Sequence, residues 1–308
     1  MEDTSSILLD SAPGDADITP EVESLHCRNC GAQAHGRYCH HCGQKHRTPH
    51  DYRLLHFIKH ALNEFTDIDS KVLQSIRHLL FSPGRLTAEW RAGREVSFVK
   101  PIRLFIVVNI IYFIFLHFFP INTIVVPLES QYNMQVYSRY IRPIVDKQIQ
   151  DSHTTFKAYA KKYDEISSEE AKTLVILMVP MLAALLALLY YRKHYYFVEH
   201  LVFSFHFFSL FLLLISFGAL IMNLLVLLGF KVLGLPINAY DVNWDEWITL
   251  SDAVLILLYF ILALGKVYGG KLWANIIRAS FLTYSLLYML WLYRFILFFT
   301  AIAVPIRV

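Results

Sequence analysis

The 308-residue chain carries 28 Lys and Arg against 25 Asp and Glu, a formal charge of +3, and is 56% hydrophobic and 15% aromatic. A soluble domain holds about 45–50% apolar residues, so this composition excludes an ordinary water-soluble globule. A net charge this small gives no reason to expect a polyanionic partner.

Residues 1–26 contain seven acids and no Lys or Arg. With Pro13, Gly14 and Pro20 and few large apolar side chains, residues 1–24 read as a disordered acidic tail. A basic stretch followed by a short apolar one is missing, so the first membrane span is expected to do the targeting.

All four cysteines fall in one pattern over residues 25–48: Cys27-Arg28-Asn29-Cys30 and, after eight intervening residues, Cys39-His40-His41-Cys42. Two such turns can bring four thiolates around one ion, the pattern of a zinc ribbon. Disulfides are the alternative, but a short ribbon ahead of membrane spans is expected to be cytosolic and reduced. Gly31 and Gly43 follow the two pairs and let the backbone turn beneath the metal. His35, His40 and His41 are spare ligands beside a site that four thiolates already fill. A catalytic zinc would keep a position open, so a structural zinc is expected at Cys27, Cys30, Cys39 and Cys42. Arg28, Arg37, Lys45 and Arg47 make the segment basic, yet Tyr38 is the one aromatic inside it. Nucleic acid is therefore not the expected partner; a cytosolic or membrane protein is.

Residues 49–103 predict basic amphipathic helices beside the membrane. Apolar residues at 54, 55, 58, 61, 62 and 65 form one helical stripe, and those at 72, 73, 76, 79 and 80 a second one behind Asp69 and Ser70. Ser82-Pro83-Gly84 ends the second helix, and a short helix through Trp90 stops at Gly93. Arg85, Arg91, Arg94, Lys100 and Arg103 suit a lipid interface.

Uncharged runs of 25 residues after Arg103, 19 after Lys172 and 31 after Glu199 are each close to or above the roughly 20 that a helix needs to cross hydrocarbon. The predicted spans are 104–126, 172–191 and 200–229, with 247–266 and 279–303 as a fourth and fifth. Four spans are the alternative if 247–266 does not cross. Ser167 with Glu170 reads as a capping box opening the second span. Residues 127–171 form the predicted external loop. The 13 Lys and Arg ahead of the first span, with Arg192, Lys193, Lys266, Lys271 and Arg278 on the same side, place the N-terminus in the cytosol and the C-terminus outside. The fold class is mainly α: a multi-span membrane protein with a small N-terminal cytosolic zinc ribbon.

Polar groups within membrane spans are costly and so become candidates for function. Asn109 lies roughly 9 Å into the first span and His206 roughly 10 Å past Glu199, which would put them at one level, so a neutral His206 is expected to donate to Asn109. Arg294 lies near the outer side, where Asp252 is its expected partner or it snorkels outward. The intramembrane candidates are thus Asn109, Glu199, His206 and Arg294. Glu199 and His200 with His206 do not form a two-histidine zinc motif, because six positions put the histidines on different helix faces.

Cys27-x-x-Cys30, Cys39-x-x-Cys42-Gly43-Gln44, Leu79-Leu80-Phe81-Ser82-Pro83-Gly84, Gly93-Arg94, Pro101 and Glu199-His200-Leu201-Val202-Phe203-Ser204-x-His206 resemble the bacterial family catalogued as domain of unknown function 3667. The resemblance implies a zinc-ribbon protein of the bacterial inner membrane and no activity. Two functional readings follow. One is a non-enzymatic membrane protein whose ribbon docks a partner or braces the membrane-proximal helices. The other is a small transporter or intramembrane enzyme built on the polar residues of the first and third spans. Convergence of those residues on one cavity separates them.

Overall fold

The computed structural model describes residues 25–34, 37–45, 54, 70–118, 124–231 and 244–304. The acidic tail, His35 and the helical stripe over 52–69, Leu54 apart, lie outside the described residues. The chain divides into two compact units, Met1–His46 and Arg47–Val308.

In the first unit β1 (Leu25–His26) pairs antiparallel with β2 (Gln33–Ala34). The two cysteine turns close alike. Gly31 N donates to Cys27 O and Cys27 N to Ala32 O, both at 2.8 Å. Gly43 N donates to Cys39 O at 2.8 Å and Cys39 N to Gln44 O at 2.9 Å. Each turn needs a left-handed residue, supplied by Gly31 at φ 77° and Gly43 at φ 72°.

The second unit is helical. Its described helices are α1 (Ser70–Phe81), α2 (Arg85–Arg91), α3 (Pro101–Phe118), α4 (Leu128–Met134), α5 (Ser138–Asp151), α6 (Phe156–Leu174), α7 (Met178–Leu189), α8 (Phe197–Lys231), α9 (Trp244–Tyr268) and α10 (Leu272–Ala303). A 3-10 turn, Val175–Leu177, carries α6 into α7. Four described stretches are long and apolar enough to cross a membrane: Phe156–Leu189, Phe197–Gly218, Ser251–Tyr268 and Leu272–Ala303. The predicted 104–126 span corresponds to α3, whose apolar part, Pro101–Phe115, is shorter.

The core forms around α8. Its most apolar window is 83% buried, against 33–39% for the other three, so α8 is the helix surrounded by protein. Phe203, Phe207, Phe208 and Leu212 are fully buried on it. Phe207 stacks on Phe260 of α9 with ring centroids 4.5 Å apart, and Phe205 meets Phe105 of α3 at 5.6 Å. The outer helices instead expose apolar residues such as Leu258, Ile277, Phe281 and Leu287, the pattern of a surface that faces hydrocarbon.

Residues 127–171, predicted as an external loop, are largely helical. Leu128, Tyr137, Ile141, Val145, Tyr159 and Tyr163 bury one another and close on Phe298 and Ala301 near the end of α10. The predicted capping box at Ser167 is a misreading. α6 begins at Phe156, where Thr155 accepts from Ala158 N at 3.4 Å, and Ser167 is buried mid-helix with its hydroxyl donating to Asp164 O at 3.3 Å. Tyr159, Tyr163 and Ser167 recur every fourth residue on the buried face, so packing carries the helix through the apparent cap. In α1 the buried face is Val72, Ser75 and Leu79, and Leu73, counted in the predicted stripe, is 75% exposed. Ser75 is inward because its Oγ accepts from Val99 N at 3.0 Å.

Candidate metal centre and polar groups of the bundle

The cysteine sulfurs are arranged for one tetrahedral ion. A metal about 2.3 Å from each of four thiolates sets its ligands about 3.8 Å apart. Cys27 Sγ lies 3.6 Å from Cys42 Sγ and Cys30 Sγ lies 3.7 Å from Cys39 Sγ. All four sulfurs fall within 4.8 Å of one another, and none is in a disulfide. The Ala32 amide is directed at Cys30 and the Gln44 amide at Cys42, so backbone donors support the thiolate charge. Cys27 and Cys39 are buried while Cys30 faces solvent. The residues fit a metal ion, and the four thiolates leave no open coordination position.

The intramembrane candidates do not converge. Glu199 Oε1 accepts from Arg91 Nε at 2.8 Å, and Oε2 accepts from Tyr196 N at 2.9 Å. Arg91 also donates to the carbonyl of Val267 at the end of α9 and lies 4.4 Å from the centre of the Tyr195 ring. Burial alone would lower the Arg91 guanidinium, but the Glu199 carboxylate reverses this and raises it. His206 Nδ1 meets Thr87 Oγ1 of α2 at 2.8 Å, in place of the expected Asn109. Asn109 donates to Lys172 O at 2.9 Å. Arg294 is close to Tyr137 and Tyr293, and Asp252 Oδ1 lies 4.0 Å from where a Cβ on Gly218 would be.

The error over His206 has a geometric cause. Counting depth from Arg103 and from Glu199 assumes that α3 and α8 start at one level. Pro101 and His206 instead line the same void, so α3 starts about two turns further along the bundle axis. That offset is filled by α2. Trp90 packs on Val198 and Val202, and Leu86 and Thr87 are buried beside it. The turn before α2 presses on α9 so closely that a Cβ on Gly84 would lie 2.9 Å from Ala263 Cα. Sequence reasoning missed Thr87 and the inward turn of Arg91. Both are contacts across more than a hundred positions, with no local signature.

The void by His206, bounded by Leu86, Trp90, Phe98, Val99 and Pro101 with Arg94, Glu95 and Lys100 at its edge, has a volume of about 20 Å³. One water needs about 10–15 Å³ by the same measure, so it has room for about one water. Thr87→Val should leave His206 Nδ1 without its partner. The expected cost is about 0.6–2 kcal/mol in thermal unfolding in detergent, and an unchanged midpoint would show that the contact contributes nothing.

A second group lies where α7, α8, α9 and α10 meet. His200 Nδ1 is 2.8 Å from Tyr268 OH, and Tyr268 stacks on Tyr190 at 4.1 Å. Lys193 Nζ donates to Tyr268 O at 2.6 Å. Arg278 lies 5.0 Å from the centre of the Tyr190 ring.

Residues 69–113 match the family described as "Protein of unknown function (DUF3667)", which bears out the sequence resemblance over α1, α2 and most of α3. The cysteine unit and the Glu199–His206 segment lie outside the matched residues. No curated protein and no solved structure gives a match.

Proposed function

We propose that the protein is a non-enzymatic integral membrane protein of the bacterial inner membrane, whose cytosolic ribbon binds one structural zinc and docks a protein partner. The observation that carries this is the closed four-thiolate centre. A metal held by Cys27, Cys30, Cys39 and Cys42 has no free position for water or substrate, so the ion serves to fold the segment. Docking is favoured over bracing because α2 is already held from within its own unit by Arg91 to Glu199 and Thr87 to His206. A transport or catalytic site would need Asn109, Glu199, His206 and Arg294 to act together, but Glu199 and His206 are taken up by Arg91 and Thr87 of α2 and Asn109 by the Lys172 carbonyl. The cytosolic assignment is supported by cations. Arg91 reaches Val267, Lys193 reaches Tyr268 and Arg278 reaches Tyr190, which gathers basic residues from three segments at one end of the bundle.

Purified protein should contain close to one zinc per chain, with its thiols unreactive until the metal is chelated. Cys39→Ser should lose the zinc and any partner captured by crosslinking through the ribbon, while the spans stay inserted. Zinc-free reduced protein, or a partner retained by Cys39→Ser, contradicts the proposal. For orientation, a reporter active only in the cytosol should work when fused after Cys42 and stay silent at position 150. Activity at position 150 would reverse the topology.

A further inference from the structure

We propose that Lys193, Arg278 and Tyr190 form a binding site for the phosphate of an anionic phospholipid headgroup. This goes beyond the adaptor reading and does not depend on the ribbon. Tyr190 follows α7, Lys193 sits in the connection to α8, and Arg278 lies in the second turn of α10. Lys193 Nζ is 5.7 Å and Arg278 Cζ 5.0 Å from the centre of the Tyr190 ring, so both positive charges bear on one side chain.

The group is rich in donors and poor in acceptors. Tyr190 is 2% exposed, and its hydroxyl lies beside the Arg278 guanidinium with no acceptor for its proton. A buried hydroxyl that donates to nothing is costly and asks for an acceptor. Lys193 has the Tyr268 carbonyl, at 2.6 Å. Arg278 has Asn275 Oδ1 at 3.4 Å, a long contact that leaves most of its five donors unused. The nearby carboxylate, Glu199, is occupied by Arg91 and the Tyr196 amide. Two cations therefore bear on one tyrosine, and among the described residues no carboxylate pairs with either of them. A phosphate supplies what is missing: one or two negative charges and oxygens that only accept.

The location selects the lipid as the source of the phosphate. Leu188 and Tyr191 on one segment, and Leu272 and Trp273 on the other, are exposed within five or six residues of the cations. Exposed aromatic and aliphatic residues beside Lys and Arg mark the level where acyl chains meet headgroups. A phosphate bound here would have its acyl chains against that apolar border.

The test uses the full chain in dodecyl maltoside, doped in turn with phosphatidylglycerol, phosphatidylcholine or inorganic phosphate at equal concentration. Retained lipid is read by native mass spectrometry and thermal stability by unfolding. Phosphatidylglycerol should be retained at least tenfold better than phosphatidylcholine and should raise the unfolding midpoint. Lys193→Gln with Arg278→Gln should abolish that preference. Tyr190→Phe keeps the ring stacked on Tyr268, removes only the hydroxyl, and should weaken retention several-fold without unfolding the protein. Lys157→Gln, at the other end of the bundle, should change nothing. Equal retention of the two lipids, full retention by the double variant, or the same stabilisation by inorganic phosphate alone would each overturn the proposal.

Discussion

Arg91→Leu is expected to cost about 3–5 kcal/mol, measured as unfolding of the purified protein in detergent. The guanidinium ties three segments. It pairs with Glu199 on α8, donates to the Val267 carbonyl on α9 and lies over the Tyr195 ring. The side chains of Arg91 and Glu199 are only 24% and 11% exposed, so solvent screens the pair weakly. Removing the cation leaves a carboxylate that water barely reaches, and that stranded charge accounts for most of the loss. The double variant Arg91→Leu, Glu199→Gln should therefore recover more than half of the lost stability. Arg91→Lys should not rescue fully, because one ammonium cannot copy the fork that reaches both a carboxylate and a carbonyl. A single Arg91→Leu variant within 1 kcal/mol of the parent would show that α2 is not held by this pair.

Gly84→Ala should be comparably damaging, by about 3 kcal/mol, for two separable reasons. Gly84 sits at φ 74°, where a Cβ costs about 1–2 kcal/mol per residue. The added Cβ would also lie 2.9 Å from Ala263 Cα and 3.0 Å from its carbonyl oxygen. Both are backbone atoms, so no rotamer change relieves the collision and α2 must move off α9. Gly269→Ala isolates the first term. Its φ is 67°, and nothing lies within 4 Å of the Cβ position. Gly84→Ala should exceed Gly269→Ala by at least 1 kcal/mol in the same unfolding assay. Equal losses would mean that the close approach to Ala263 is unimportant.

Some of this was legible in the sequence and some was not, for physical reasons. Cys27, Cys30, Cys39 and Cys42 are local: two short turns set the sulfur positions, so spacing carries the geometry. Long uncharged runs are equally direct, because hydrocarbon tolerates few charges, and α7, α8, α9 and α10 lie on the predicted runs. Periodicity fails where a helix is buried on several sides. Arg91 looks like one more basic residue near a membrane surface, yet it turns inward to Glu199. Thr87 is a plain polar residue in a short helix, and only the tertiary fold brings it to His206. Ser167 has the residues of a cap without the helix start that would make it one. Depth alone pairs Asn109 with His206, and the insertion of α2 shifts that depth.

The contacts that seat α2 also impose an order in time. Thr87 and His206 are 119 positions apart, Arg91 and Glu199 are 108 apart, and Arg91 and Val267 are 176 apart. A ribosome adding about 5–20 residues per second needs about 9–35 s to travel from Arg91 to Val267. Throughout that interval α2 lacks the α9 part of its seat, because Ala263 and Val267 have not been made. The α8 part, with Glu199 for Arg91, His206 for Thr87 and Val198 and Val202 for Trp90, is synthesised before α9 and can receive it first. Full docking of α2 is consequently a late event of biogenesis, and a chain that ends before α9 has no seat for Gly84.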